Sequence, residues 1–492
     1  MSLASRKPVI AVVGGGFSGA AFALHLVRHY RTTAEIVVFE PRERLGTGLA
    51  YSTPDNAHRI NVPAERMSLY PDQPDSFLTF VLSKQEHAFD SDLYAPDGSP
   101  YPRRRLFGDY VASEIGPLLA SGAVQHRRAS VIAINRLMDR WQIFDTMDKR
   151  LLADVVVIAA THPSAGLPAP LLPVKGHPKL VTEVTSSASL SAIDSDDRVL
   201  IIGNGLTSAD VVASLSARGH RGTIVSISRR GLRSRGHPQT AQEPFGDFTT
   251  SPSSKASDLI ARIRAAVHAA QEGGQSWHAV IDAVRSQAFA TWQALDPPAR
   301  RRVVRHARPF WDAHRFRIAP QVEKILDQAV SDGRMTTMAA SLKTVQPRAQ
   351  GFRVALDQRH YGDVVLDVNA IVVTTGPDHG RVLQSQPFFK ELADTGILQA
   401  CETGLGIACD QNSNALDAAG HPVDNLFVLG PLARGTFGEL MGLPQVTEHA
   451  LFVARKVAQH LALAELPEIA NQHATFQTIH EPSSSRLGAV AK

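Results

Sequence analysis

Three glycines, Gly14, Gly16 and Gly19, stand in the pattern G-x-G-x-x-G between the apolar run VIAVV and the run AAFALHLVRHY. In that pattern the first glycine makes a tight turn and the second lets backbone approach a pyrophosphate. The third lets the following helix close on the strand. The start of such a helix points unpaired N–H groups at negative charge. Glu40 follows 21 residues after Gly19, at the end of the next apolar run, where a carboxylate accepts hydrogen bonds from ribose hydroxyls. A glycine-rich turn alone says little. Motif, context and acid together predict a dinucleotide site.

The pattern occurs a second time as Gly203-Asn204-Gly205-Leu206-Thr207-Ser208, with a serine in place of the third glycine. Arg229 and Arg230 lie 21 residues beyond Ser208, at the place that aligns by count on Glu40. A carboxylate there would repel a 2′-phosphate, whereas a guanidinium can clamp one bidentately. Arginines that merely cap a surface strand are the plainer reading, and the alignment with Glu40 outweighs it. An acid in one copy and paired bases in the other imply two cofactors, FAD in the first and NADPH in the second. The glycine- and asparagine-rich loop from Arg42 to Ser68 fits a flavin, since it could run along the pyrophosphate toward the ring system.

These residues need a strand, a turn and a helix to position them, and the chain spells that unit twice. VIAVV, GGGFSG, AAFALHLVRHY and EIVVFE form the first copy, and RVLII, GNGLTS, ADVVASLSARG and TIVSISRR the second. Each is followed later by another apolar strand, in DVVVIAATHP and NAIVVTTGP. The fold class predicted is α/β, with two Rossmann-like dinucleotide-binding domains and a helical insertion in the second. The boundaries expected are 1–183 for the first part of the FAD domain and 195–253 for the first part of the NADPH domain. The helical insertion occupies 254–333, the second part of the NADPH domain 334–383, and the return to the FAD domain 384–462. A polar linker covers Val184–Asp197, and a disordered tail is expected over 463–492.

Bulk properties bound the reading. The 492 residues exceed one ordinary core, 43% are hydrophobic, and the net charge of +4 does not mark a nucleic-acid binder. Cys401 and Cys409, eight residues apart, form neither a redox CxxC nor a metal knuckle and fit a reducing cytoplasm. Neither a cleavable leader nor a membrane-spanning run is expected, and no His or Cys pattern suits a metal. The stretch from Arg300 to Arg317 holds nine Arg or His residues with Asp312 as its only acid, interleaved with Phe310, Trp311 and Phe316. A solvated helical face with a packed aromatic seam explains it first, a basic wall beside the cofactor cleft second, and nucleic-acid binding last.

The phrases GLAYSTPDNAHRINVPAERMS, GNGLTSADVV, SISRRGLRSRGHP, FWDAHRFRIAP and LGPLARGTFGEL resemble a bacterial FAD/NAD(P)-binding family. That family is similar in layout to the class B flavoprotein monooxygenases and the amine N-hydroxylases, and the resemblance runs from about Val9 to His460. It implies that Gly14, Gly16, Ser18, Gly19 and Glu40 hold the FAD adenosine and pyrophosphate, with Phe17, Pro41 and Val131 counted beside them. It also places Asn61, Val62, Arg66 and Met67 on the flavin side, and Gly430, Pro431 and Thr436 near the isoalloxazine. The family's A-T-G turn reads Ala160-Thr161-His162 here; if the usual glycine has positive φ, His162 would be strained.

The activity expected is NADPH-driven flavin reduction and oxygenation of a small polar metabolite through a flavin C4a-hydroperoxide, amine N-hydroxylation being one form of it. The insertion would serve as lid or substrate wall. Arg434, Glu439 and His449 are candidates for groups near the reaction centre. The partners expected are a small-molecule substrate and O2, with room for a homodimer and neither membrane nor nucleic acid. A flavoprotein reductase without oxygen insertion and a non-catalytic nucleotide sensor are the alternatives.

Overall fold

The computed structural model describes residues 6–163, 165–184 and 187–466. The disordered tail expected over 463–492 begins too early, since Glu465 bridges Tyr30 and Leu463 packs on the core; from 467 onward it lies outside the described residues, as do 185 and 186 of the linker. Along the chain the first strands are β1 (Val9–Val13), β2 (Glu35–Phe39), β3 (Gln125–Arg127), β4 (Val131–Leu137), β5 (Arg140–Asp145), β6 (Arg150–Ala153) and β7 (Val155–Ile158). Then come β8 (Leu180–Val181), β9 (Val199–Ile202), β10 (Ile224–Ser228), β11 (Met335–Arg348), β12 (Gly351–Gln358) and β13 (Gly362–Val368). The last are β14 (Ala370–Val373), β15 (Asn414–Leu416) and β16 (Pro422–Val428).

Two sheets carry the two copies. The first runs β15-β16-β7-β1-β2-β3 and the second β13-β12-β11-β10-β9-β14-β8. β1 lies parallel between β2 and β7, and β9 lies parallel between β10 and β14. Every residue of β1, β7, β9 and β14 is buried. That accounts for their uninterrupted apolar sequence, because strands covered on both faces have no polar side. The α/β architecture with two Rossmann-like units is therefore as read from the sequence. β16 returns the chain to the first sheet by pairing parallel with β7, so FVLGPL does close the first domain.

Three placements differ from the expected boundaries. β8, assigned to the first domain by the 183 boundary, pairs with β14 in the second sheet. The helix Pro320–Ser331, assigned to the insertion, packs on the helix Leu206–Ala217 and buries Val322, Leu326 and Ala329. It is the crossover from β10 to parallel β11, which a right-handed parallel unit requires. The insertion proper runs from the helix Ala256–Glu272 to the helix Arg308–Arg315. Two antiparallel pieces were also unforeseen, the meander β4-β5-β6 and the ribbon in which β11 continues into β12 and β13.

The two domains are fastened by polar contacts. Arg104 of the first donates from both Nη atoms to Asp210 of the second, at 2.9 and 3.0 Å. Ser214 of the same helix donates to Asp55 at 2.8 Å and meets His58 Nε2 at 3.1 Å. The loop Arg42–Ser68 thus has two jobs: it borders the first domain's cleft at Thr47–Tyr51 and straps onto the second domain at Asp55–His58.

Candidate functional site

In the first copy β1 and β2 end level, Val13 opposite Phe39, and the Gly14 N–H donates to Phe39 O at 3.1 Å. Gly14 has φ +107°, and a β-carbon on it would stand 2.5 Å from Ala159 O. Only glycine fits that turn. A β-carbon on Gly19 would stand 2.0 Å from Gly14 O, so helix and strand touch backbone to backbone. Above this turn opens a cavity of about 520 Å³. Gly14, Gly16, Phe17 and Ser18 form its floor, and Glu40, Pro41, Val131, Ala159–Pro163 and Pro431 are among its walls. Gly16 caps the helix without a side chain, which leaves the first N–H groups facing the cavity. Buried Glu40 accepts at Oε1 from the Arg42 backbone at 3.0 Å and from Arg42 Nη1 at 2.9 Å, while its other oxygen makes no bond among the described residues.

The second copy repeats the turn: Ile202 stands opposite Ile227, and Gly203, with φ +122°, donates to Ile227 O at 2.8 Å. This register corrects the count made from sequence. Glu40 follows the residue that accepts from Gly14, and the residue that follows Ile227 is Ser228, not Arg229. Arg229 and Arg230 therefore match Pro41 and Arg42. The offset arises because the first helix has 13 residues and the second 12. Ser228 Oγ accepts from Asn204 Nδ2 at 3.3 Å, and Asn204 Oδ1 is held by Ser226 Oγ. Arg229 is exposed and makes no bond among the described residues, whereas the Arg230 guanidinium lies 4.8 Å over the Phe310 ring. Gly205 caps the second helix, again without a side chain, and nothing approaches within 4 Å of where its β-carbon would be.

A second cavity, of about 140 Å³, lies within the insertion. Leu259, Ile263, Trp292, Leu295, Val303 and Trp311 are among its lining residues, with Arg308, Arg434, Gly438 and Glu439 along one side. The chain forms a π-helical turn at Val303–Ala307, and three of its residues line the cavity. Such turns are rare and concentrate at functional sites. The insertion is pinned to the returning segment by Trp292 Nε1 donating to Gly435 O at 2.9 Å and Gln293 Nε2 donating to Thr436 O at 2.7 Å.

His162 borders the larger cavity between these regions. It has no positive φ, whereas Gly376 in the matching turn of the second copy has φ +76°. The turns differ, so the strain conditionally expected at His162 does not arise. Its ring meets His379 edge-on, centroids 4.5 Å apart. Burial pushes the His162 imidazole down to about 4 and His379 to about 3, with Arg434 and Arg308 adding to both.

Residues 11–163 match the family model described as FAD-NAD(P)-binding. That is the resemblance read from the sequence. Three solved structures share the fold across nearly the whole chain. Ornithine hydroxylase (PvdA) from Pseudomonas aeruginosa has 14% identity and a TM-score of 0.63, covering 92% of this chain and 99% of that one. The cadaverine monooxygenase DfoA from Erwinia amylovora, bound to FAD, has 15% identity and a TM-score of 0.61, covering 98% and 99%. Ornithine N-hydroxylase KtzI from Kutzneria sp. 744, with reduced FAD, NADP+ and L-ornithine, has 16% identity and a TM-score of 0.57, covering 93% and 99%. No curated protein matches the chain. Among the described residues no helix is long and apolar enough to cross a membrane, and no cluster could hold a metal ion.

Not every residue named from sequence reaches the first cavity. Gly19 and Gly430 support it from behind, and a β-carbon on Gly430 would stand 2.5 Å from Ser18 Oγ. Asn61 instead accepts at its backbone oxygen from His237 Nε2 at 3.0 Å, Met67 is buried in the core, and Val62 packs against that core. Arg66 is exposed, and Thr436 donates to Cys409 O at 2.7 Å. These five were placed near the flavin by resemblance, and none of them is among the residues lining the larger cavity.

Of the three reaction-centre candidates, His449 is structural. Its Nδ1 accepts from the Gly430 N–H at 3.1 Å, so Nε2 carries the hydrogen and donates to Ser413 Oγ at 3.0 Å. Burial pushes it down to about 3, which favours the neutral ring. Glu439 is spoken for by Arg315 at 2.9 Å. Sequence reasoning missed Ser228, and also Ser385 and Gln386 on the rim of the larger cavity, for which no motif gave a signal.

Proposed function

We propose that the chain is an FAD- and NADPH-dependent monooxygenase acting on a small organic molecule. The observation that carries this reading is the contrast between two matched turns. One ends in a buried carboxylate with an oxygen to spare, the other in Ser228-Arg229-Arg230. The larger cavity fits FAD: its floor is a side-chain-free helix start, and the uncommitted Glu40 oxygen suits a ribose hydroxyl. Ser228 and the two arginines suit a 2′-phosphate, and Arg230 is already held in place by Phe310.

Bound FAD supplies a redox centre that takes hydride from NADPH and reduces O2. The chain's part is placement. Gly14 and Gly16 admit the pyrophosphate, Arg104–Asp210 and the Ser214 contacts hold the two clefts together, and His449 fixes Gly430 against Ser18. The named activities of the structural neighbours, on ornithine and cadaverine, support oxygen transfer as the class of reaction. A disulfide-reductase reading is disfavoured by the cysteines, both buried and free, with the Cys409 thiol pushed up to about 12 by burial. The reducing cytoplasm that supplies NADPH is part of the proposal.

The purified protein should be yellow and bleach with NADPH under anaerobic conditions. In air, a true substrate should couple NADPH oxidation to one equivalent of oxygenated product. Bleaching that ends only in peroxide, whatever substrate is offered, sinks the monooxygenase and leaves a reductase. A colourless protein that binds nucleotides without turnover is a sensor.

A further inference from the structure

The cavity inside the insertion says what kind of molecule is oxygenated, an inference that rests on the monooxygenase reading. Its walls are aliphatic and indole side chains, and its volume of about 140 Å³ matches a benzene-sized group. A small polar metabolite would gain little there. One side is charged, however, and the charges do not close. Arg308 takes Asp312 at 3.1 Å and Arg315 takes Glu439 at 2.9 Å. Arg434 is left over. It is 4% exposed and donates from Nε to Gly438 O at 3.3 Å, but its Nη2 stands 3.8 Å from Asp312 and its Nη1 has no partner.

A buried guanidinium with an unpaired donor is costly unless an anion answers it. His162 and His379 stand in the same field and are held neutral by burial, so they do not compete for that anion. A bare ammonium would meet Arg308 and Arg434, and Glu439, the carboxylate that lines the cavity, is already paired with Arg315.

We propose that this cavity is the substrate site, that it takes a small carboxylic acid with an apolar body about the size of benzene, and that Arg434 binds the carboxylate. The acid enters with its apolar body against Trp292 and Trp311 and its carboxylate at the Arg434 guanidinium. Arg434 here is a specificity-determining residue for binding.

The test uses the purified flavoprotein without NADPH, titrated with 3-phenylpropionate, 3-phenylpropanamide and 3-phenylpropylamine. Calorimetry gives affinity, and the fluorescence of Trp292 and Trp311 reports occupancy. The acid should bind at least about ten-fold more tightly than the amide or the amine. Arg434→Gln should bring the acid to the affinity of the amide and leave the amide unchanged. Ala288→Phe, which fills the cavity, should weaken all three.

Equal binding of acid and amide, or tighter binding of the amine, overturns the assignment of the anion. Acid binding that survives Ala288→Phe overturns the site. A loss of NADP+ affinity in Arg434→Gln with acid affinity intact gives the guanidinium to the dinucleotide and overturns the proposal as well. If Arg434→Gln does not fold, the three-probe series on the native protein still decides. If the acid binds but no oxygenated product forms, the failure belongs to the monooxygenase reading and not to this one.

Discussion

The two βαβ units share a backbone and part company at one strand end. Both turn on a glycine with strongly positive φ and both start a helix with a bare glycine cap. At the end of the second strand one places a buried glutamate held by Arg42, and the other a serine followed by an exposed and a ring-stacked arginine. Under the proposed function, the turn is a general seat for a pyrophosphate, and one to three residues some 25 positions later choose the nucleotide.

Reversing the charge at that end should have the largest effect. Glu40→Arg puts an uncompensated cation into a buried position that a ribose must approach. FAD affinity, measured by fluorescence on dilution of the holoprotein, should fall on the order of 10²–10⁴-fold, in line with about 3–5 kcal/mol for breaking a buried charged contact. Retained FAD would show that Glu40 only serves Arg42.

The matching change in the second unit should be smaller and selective. Replacing Arg229 and Arg230 with Ala should raise KM for NADPH by about 10- to 100-fold, the worth of about one charge-assisted phosphate contact at roughly 1.5–3 kcal/mol, because Arg229 is exposed and its share is screened by solvent. NADH should be nearly unaffected. Equal losses for both nucleotides would make the arginines structural and dissolve the contrast.

The third difference is between the closing turns, histidine in one copy and glycine in the other. His162 and His379 are pushed down to about 4 and about 3 in the folded chain, so they stay neutral there and gain protons on unfolding below about 6.5. The folded state binds fewer protons, so stability falls as pH drops from about 6.5 toward 4, by at most about 1.4 kcal/mol per unit for each ring. Melting temperatures between pH 7 and 5 should decline less steeply in the His162→Gln/His379→Gln double variant than in the native chain. An unchanged slope would place the acid sensitivity elsewhere, His25, His237, His278 and His449 being the other strongly depressed rings.

Much of the fold was legible because its signals are local. Strands buried on both faces read as unbroken apolar runs, and the glycine turns read as themselves. What escaped was set by distance or by register. Ser228 was hidden because counting from the glycines assumes helices of equal length, and the second helix is one residue shorter. Helix Pro320–Ser331 looked like its neighbours in composition, and only its packing on Leu206–Ala217 shows that it belongs to the sheet. Asn61 and Thr436 carried a family resemblance, but their contacts with His237 and Cys409 join residues far apart in the chain and left no local signal. The insertion's cavity needs five helices and the segment after Pro431 at once, and no window of sequence contains all of these.

The insertion leaves the second sheet after β10 and comes back by the crossover helix into β11, the neighbouring parallel strand. Its hold on the rest of the chain includes two hydrogen bonds from one short helix, through Trp292 and Gln293. It is anchored there again by Arg285, which donates to Gln445 Oε1 at 2.8 Å, and by Arg315, paired with Glu439 at 2.9 Å. The insertion is thus continuous in sequence with the second sheet and fastened in space to the segment that returns to the first, so a change in its lining is felt at that segment directly.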